Sequence, residues 1–354
     1  MRIVGVVNQT GVGGTEKTAC LLLRWASKKG HDVHLVAREG GLRLTWAQTL
    51  LGTDRVHIPD SGRADDDALL DMVVGLAPDI AHFHRGVVER PYPHEVRARL
   101  PGCKVVEHQI FGDFIADADL TIFVSPEIGA RATQAINATT TPYRKFAVLR
   151  NPIRMPDGAL LHARLDGIDA GTTVVGSIGR PDNAIFDPTH LKALAAYIAR
   201  HSERRILYVR LGASQFEAEA LRALSIPHRL YPATCSDGEI TRFLLTLDLY
   251  LHSRLDGECD SVSLAEAMAH GVRVLSHAVG HFKGHVEALA AFSEFCECVP
   301  AGDEAAYLDG LERMIGDEHR ASTAKKVLPR RTKERQGVEV IGNRLLRMYE
   351  GLRA

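Results

Sequence analysis

The chain lacks any apolar stretch near the roughly 18 consecutive residues of a membrane-spanning helix, so no transmembrane segment is expected. Neither sign of charge prevails. Lys and Arg number 43 against 44 Asp and Glu, and a net charge of −1 argues against a generic nucleic-acid binder, which would be strongly basic. Cysteine is scarce and scattered. Of the six, only Cys296 and Cys298 lie close together, and one C-x-C without a second pair is a weak metal signal. Free thiols in a reducing, cytoplasmic setting are therefore expected. There is no internal repeat and no low-complexity tract. Met1–Gly5 already reads as a strand, so a signal peptide is not expected.

What is present is the composition of an ordinary globular protein, 45% hydrophobic and 25% charged. At 354 residues the chain is too long for one ordinary core and suits two domains of about 150 residues each. Arg2–Val7 is a β-branched strand, and a helix follows with Ala19, Leu22, Leu23 and Ala26 on one face. Asp32–Ala37 is the next strand. Between the first strand and the helix runs Gly11-Val12-Gly13-Gly14-Thr15-Glu16-Lys17-Thr18, which invites two readings. It nearly spells the P-loop of an NTPase, with Gly11, Lys17 and Thr18 in register, but Glu16 replaces the second glycine and would repel a phosphate. The other reading is a glycine-rich turn letting the backbone approach a ligand at a helix N-terminus.

From Leu42 to Ala64 the pattern is irregular, as a loop beside an acceptor site would be. Asp65–Leu76 is helical. Pro78–His84 and Val105–His108 read as strands that both end in histidine, the latter beside Phe111-Gly112-Asp113, and Asp117–Val124 as a further strand. Single histidines after strands are ordinarily satisfied structural residues. Two at successive strand ends can line one edge of a parallel sheet, which leaves His84 and His108 open as cleft residues. Phe146–Leu149 precedes Arg150-Asn151-Pro152, and with Met155–Gly158 this breaks regular structure, so a domain boundary is placed at 150/151.

The second half repeats the alternation: strands at Thr172–Ile178 and Arg205–Leu211, with helices at Pro188–Arg200, Gln215–Leu224 and Ile240–Leu245. Helices at Glu304–Ile315 and Val338–Leu352 close the chain. Two doubly wound parallel sheets follow from this order. Lys325–Arg335 is locally basic and reads as a solvated linker or a weak contact with an anionic membrane surface.

The most informative stretch is Asp256–Gly271. Glu258 sits in a Gly- and Asp-flanked loop after the apolar run Leu247–Leu251. Glu266 lies on a short helix with Leu264, Ala267 and Met268 at helical spacing, stopped by Gly271, before the strand Val272–Leu275. A strand, a loop, a helix N-terminus and a strand bind phosphorylated ligands in open α/β sheets. Two carboxylates at that edge can accept hydrogen bonds from hydroxyl groups.

The run from Leu247 to Gly280, with Glu258, seven residues, Glu266-Ala267-Met268-Ala269 and Gly271, resembles the signature of the retaining glycosyltransferases of family four. Gly13, Gly14, Glu16, Gly30, His31 and Val33 resemble that family's opening Gly-Gly-x-Glu and Gly-His-x-Val elements. The resemblance implies an α/β GT-B fold, two Rossmann-like doubly wound domains facing across a cleft. The first domain is 1–150, the second 151–335, and a C-terminal helix at about 336–354 packs back on the first.

It implies transfer of a sugar from a nucleotide-diphosphate sugar to an unknown hydroxyl acceptor, with retention. Glu258 would hold sugar hydroxyls. Glu266 would hold the nucleotide ribose, with Ser261 and Val262 at the helix N-terminus and Gly13 and Gly14 in the first-domain turn. His108 stands with Glu258 and Arg180 as a catalytic candidate, and His84 and Glu16 belong to the acceptor side.

The departing diphosphate needs fixed positive charge. Arg180 fits this role in either of two registers, one of which puts Ser177 where a first arginine would stand. No lysine lies nearby, because Ile185 or Asp187 occupies its place, and Arg210 and Lys283 are the substitutes. No metal or other cofactor is expected, since no convincing D-x-D motif occurs, and no nucleic-acid partner is expected. Two rivals stand beside this reading: a catalytically degenerate binding or scaffold protein of the same fold, and a P-loop NTPase.

Overall fold

The computed structural model describes residues 1–59, 62, 64–85, 92–112, 118–137, 145–156 and 164–353. Asp113, Asp117, Asp157 and Gly158 lie outside the described residues. The chain divides into unit 1, Met1–Arg154 with Arg335–Ala354, and unit 2, Met155–Glu334.

Unit 1 opens β1 Arg2–Gln9, α1 Gly14–Lys28, β2 Asp32–Glu39, α2 Leu44–Leu51, β3 Val56–His57 and α3 Asp66–Gly75. It continues β4 Ile80–Arg85, α4 Tyr92–Arg99, β5 Lys104–Gln109, β6 Leu120–Phe123, α5 Pro126–Asn137 and β7 Phe146–Val148. The seven strands form one parallel sheet in the order β3-β2-β1-β4-β5-β6-β7, whose direction of winding reverses between β1 and β4. That reversal is the switch point at which open α/β sheets form a crevice beyond the carboxyl ends of their strands. Both faces of the sheet are covered, which is why Ile3–Val7 of β1 are buried without interruption.

Unit 2 runs β8 Thr173–Ile178, α6 Thr189–Arg200, β9 Ile206–Leu211, α7 Gln215–Ala223, β10 His228–Tyr231, α8 Asp237–Thr246 and β11 Leu249–Leu251. There follow β12 Gly257–Glu258, α9 Val262–Ala269, β13 Arg273–His277, β14 Phe282–Lys283, α10 Gly284–Ala290, β15 Glu297–Val299, α11 Glu304–Ile315 and α12 Glu318–Gln336. Six strands form a parallel sheet in the order β10-β9-β8-β11-β13-β15, with its own reversal between β8 and β11.

The last helix, α13 Val338–Arg353, returns to unit 1. Its Ile341, Leu345, Leu346 and Tyr349 share a core with Ala19, Leu22, Leu23 and Ala26 of α1, and Trp25 Nε1 donates to Asn343 Oδ1 at 3.0 Å. Residues 151–154 stay with unit 1, although the break in the sequence pattern falls at 150. Ile153 makes a parallel bridge to Gly337, and the Thr18 hydroxyl donates to Asn151 Oδ1 at 2.9 Å.

Two expectations are corrected. The stretch 42–64 is not a plain loop, because α2 and β3 lie within it. Ala47 and Leu51, one turn apart, bury their side chains, but the helix is too short for its period to stand out. The basic run from Lys325 is not a linker. It lies on α12, where Ala324, Leu328 and Thr332, four residues apart, are fully buried and Arg331 pairs with Glu294.

Candidate functional site

In unit 2 the loops after β11 and β13 meet at the carboxyl edge of the sheet. They pair as a short parallel ladder, Gly257 with Phe282 and Glu258 with Lys283. Two glycines make that approach possible. Gly257 and Gly280 take φ of +73° and +88°; a Cβ on Gly257 would collide with the Phe282 carbonyl oxygen, and one on Gly280 with the backbone of Asp256 and Gly257. The first loop then feeds α9, whose N-cap Ser261 accepts from the Leu264 amide. The helix ends where its apolar pattern ends, at Gly271.

Glu258 is thereby held against a polar network. Its Oε1 accepts from Arg254 Nη1 at 3.3 Å and lies 3.4 Å from His252 Nε2. Arg254 also donates from Nε to Asp256 Oδ1 at 2.8 Å, so one guanidinium bridges two carboxylates. Burial would raise the Glu258 carboxyl, but the Arg254 charge and the His252 contact outweigh it and hold the group at about 2. Burial pushes His252 down to about 4, so the ring is neutral. A proton on Nε2 then suits the Glu258 contact, with the Ser276 hydroxyl donating to Nδ1 at 2.9 Å. Among the described residues none bonds Glu258 Oε2. His252 and Arg254 were missed in the sequence, although R-x-D-x-E is itself a signal for one cation between two anions.

The other unit-2 candidates divide. Glu266 lies one turn into α9 and is buried, as is Ser261, while Val262 opens the helix half-buried. Arg180 follows β8 and is half exposed, with a loose pair to Asp182 at 4.0 Å. Lys283 is exposed at the start of α10. Arg210 is engaged: Nε donates to Glu217 Oε2 and Nη1 to Ser177 Oγ, each at 2.8 Å. Its guanidinium thus stands directly behind the position where one sequence register lacks an arginine. Asp187, one of the two residues read in the lysine's place, is buried with Oδ2 3.1 Å from His277 Nε2. Burial would raise its carboxyl, but His277 and the amide and hydroxyl of Thr189 hold it well below the usual range.

At the unit-1 edge, Gly13 caps α1 and Gly14 begins it. The Glu16 carboxylate folds back over Gly13, since a Cβ there would collide with its Oε2. A negative group already covers the helix N-terminus that a P-loop would offer to phosphate. Lys17 is buried, and the Thr18 hydroxyl is spent on Asn151. These contacts oppose the NTPase reading. The turn is fastened by a residue that was not anticipated: buried Arg43 donates from Nε to the Gly11 carbonyl at 3.1 Å and from Nη2 to the Val12 carbonyl at 3.2 Å. His84 and His108 are direct ladder partners on β4 and β5, and both are buried.

No protein-family model matches the sequence, and no curated protein matches it. Solved structures do. HepE of Anabaena in complex with UDP and glucose superposes with a TM-score of 0.73 at 15% identity, covering 99% of this chain and 99% of that one. A glycosyltransferase of Rickettsia africae ESF-5 gives 0.72 at 12% identity, over 99% of this chain and 98% of that one. Sucrose-phosphate synthase of Thermosynechococcus elongatus gives 0.68 at 14%, over 99% of both. The fold is GT-B. Its two Rossmann-like α/β units are those that the sequence resemblance implied, and at these identities the likeness speaks for fold alone. No described helix is long and apolar enough to cross a membrane.

Proposed function

We propose that the chain is a glycosyltransferase that moves a sugar from a nucleotide-diphosphate sugar to a hydroxyl acceptor, with retention at the anomeric carbon. One observation carries the reading. Glu258 is an ionised carboxylate at the carboxyl edge of the unit-2 sheet, fixed through Oε1 and with Oε2 available to accept from a sugar hydroxyl. It stands eight positions before Glu266, on a fold whose solved relative HepE was captured with UDP and with UDP-glucose.

Glu266 holds the ribose, and the α9 N-terminus with Arg180 stabilises the departing diphosphate. Fixed protein charge and amide dipoles suffice for this, so no metal is assigned to the donor. The acceptor attacks from the face the leaving group vacates, which calls for no carboxylate nucleophile. Gly13 and Gly14 belong with the donor-binding residues and Glu16 with the acceptor side, and six free thiols suit a cytoplasmic setting.

A second reading, a binding protein of the same fold without turnover, is favoured by the missing lysine, whose place Ile185 or Asp187 occupies. A panel of UDP-, GDP- and ADP-sugars separates the two. A donor at 100 times its dissociation constant adds about 2.7 kcal/mol of stability, read as a thermal shift. Release of free nucleotide with that donor supports transfer. A shift without release in any acceptor mixture supports the binding protein, and no shift with any donor overturns both.

A further inference from the structure

We propose that His82, His84 and His108 form a binding site for one divalent transition-metal ion of the zinc type inside unit 1. The site goes beyond the transfer reading and uses no residue of unit 2. His82 and His84 alternate along β4 and so share a face of the sheet, and His84 is the direct ladder partner of His108 on β5. Their ring centroids lie 4.1, 5.0 and 5.4 Å apart, and one candidate nitrogen from each falls within 4.8 Å of the others. A tetrahedral ion with bonds of about 2.0–2.1 Å needs its nitrogens about 3.4 Å apart, so the rings, of which His82 and His108 are stacked at 3°, must turn about their side-chain bonds to converge on it.

The rings are prepared for a ligand and poorly served without one. Their exposures are 2%, 2% and 0%. His82 Nε2 and His84 Nδ1 have no hydrogen-bond partner among the described residues, and His108 makes at most a loose contact with the Leu149 backbone. A buried polar nitrogen without a partner is destabilising, and one ion would engage one nitrogen of each ring. Burial pushes His108 down to about 4 and lowers His82 and His84 well below the usual histidine range, so all three rings present lone pairs at neutral pH.

An outer contact is also in place. His82 Nδ1 is 2.6 Å from the Tyr349 hydroxyl, which can accept the Nδ1 proton and leave Nε2 for the metal. The donor set is all imidazole, which suits zinc, copper, nickel or iron and disfavours magnesium and calcium.

The test uses the full chain, stripped with a chelator and titrated with Co²⁺ as a coloured probe for Zn²⁺. The expected result is one Co²⁺ per chain with visible d–d bands, displaced by Zn²⁺ and not by Mg²⁺. His84→Gln and His108→Gln should abolish the bands. Tyr349→Phe keeps every ring and should weaken binding by about 10- to 100-fold. Circular dichroism establishes which variants fold. Absence of stoichiometric uptake by the unmutated chain overturns the proposal whatever the variants do, and so does parental binding in a folded histidine variant.

Discussion

Glu258 stands opposite Lys283 in the β12–β14 ladder, so loops from two different strands bring an anion and a cation to one level of the unit-2 edge. Lys283 is exposed and free to follow a phosphate. Lys283→Ala should weaken binding of the free nucleoside diphosphate by about 1 kcal/mol, roughly fivefold, with the loss shrinking at high salt. Calorimetric titration at two ionic strengths checks this. An unchanged affinity at low salt removes Lys283 from the donor site.

The two glutamates should separate by assay. Glu266→Ala removes a charge-assisted hydrogen bond to the ribose and should cost roughly 1.5–3 kcal/mol in affinity for the bare nucleotide. Glu258→Ala should leave that affinity nearly intact and lower turnover and discrimination among donor sugars. The reverse ranking would exchange the two roles.

Glu258 also predicts a pH dependence. Its carboxyl sits at about 2 in the folded chain, because Arg254 and His252 outweigh burial, against about 4.3 when unfolded. A depressed folded value stabilises fully above the unfolded value, and the stabilisation is lost as pH falls toward 2. The full contribution is on the order of 3 kcal/mol, of which roughly half is gone by pH 3. Urea unfolding at pH 7 and pH 3 should therefore show a smaller drop in Glu258→Gln than in the parent, by roughly 1–2 kcal/mol. Identical drops would mean that Arg254 does not hold the carboxylate in solution.

Much of this was legible beforehand for a physical reason. Parallel strands covered on both faces read as short, largely apolar runs, as in Ile3–Val7 of β1 and Val174–Gly176 of β8, and α9 carries its period between a Ser cap and a Gly stop. The spacing of Glu258 and Glu266 is a property of the chain itself.

What escaped is what only folding assembles. Ser276 on β13 reaches His252 after β11. Glu217 captures Arg210, which the sequence offered as a phosphate ligand. In the sequence only His84 and His108 stand at strand ends, because His82 lies mid-strand and joins His84 only through the alternation of the pleat.

Gly280 offers a test of how the edge is built. Its φ of +88° disfavours any side chain, and a Cβ would strike the backbone of Asp256 and Gly257. Gly280→Ala should destabilise unit 2 by about 1–3 kcal/mol and disturb the seat of Glu258, so donor affinity falls as well. Stability and donor affinity both at parental level would show that the two loops need not dock as they do here.

Arg180 is the most consequential of the charged candidates. It follows β8 beside the sheet's switch point, half exposed, and its Asp182 neighbour at 4.0 Å is an exposed pair of the kind that contributes little. Its guanidinium is therefore cheaply turned toward a ligand, whereas Arg210 would first have to leave Glu217 and Ser177. A guanidinium grips phosphate oxygens two at a time, and its charge counts most as the leaving diphosphate develops. Removing such a stabiliser costs about 2.7–4 kcal/mol, a hundred- to thousandfold in turnover. Arg180→Ala should show that loss in kcat with the best donor of the panel. Arg180→Lys should recover part of it, since charge returns without the two-pronged geometry. If the alanine variant turns over at the parental rate, Arg180 is a surface residue, and the diphosphate must rely on Lys283 and the α9 N-terminus.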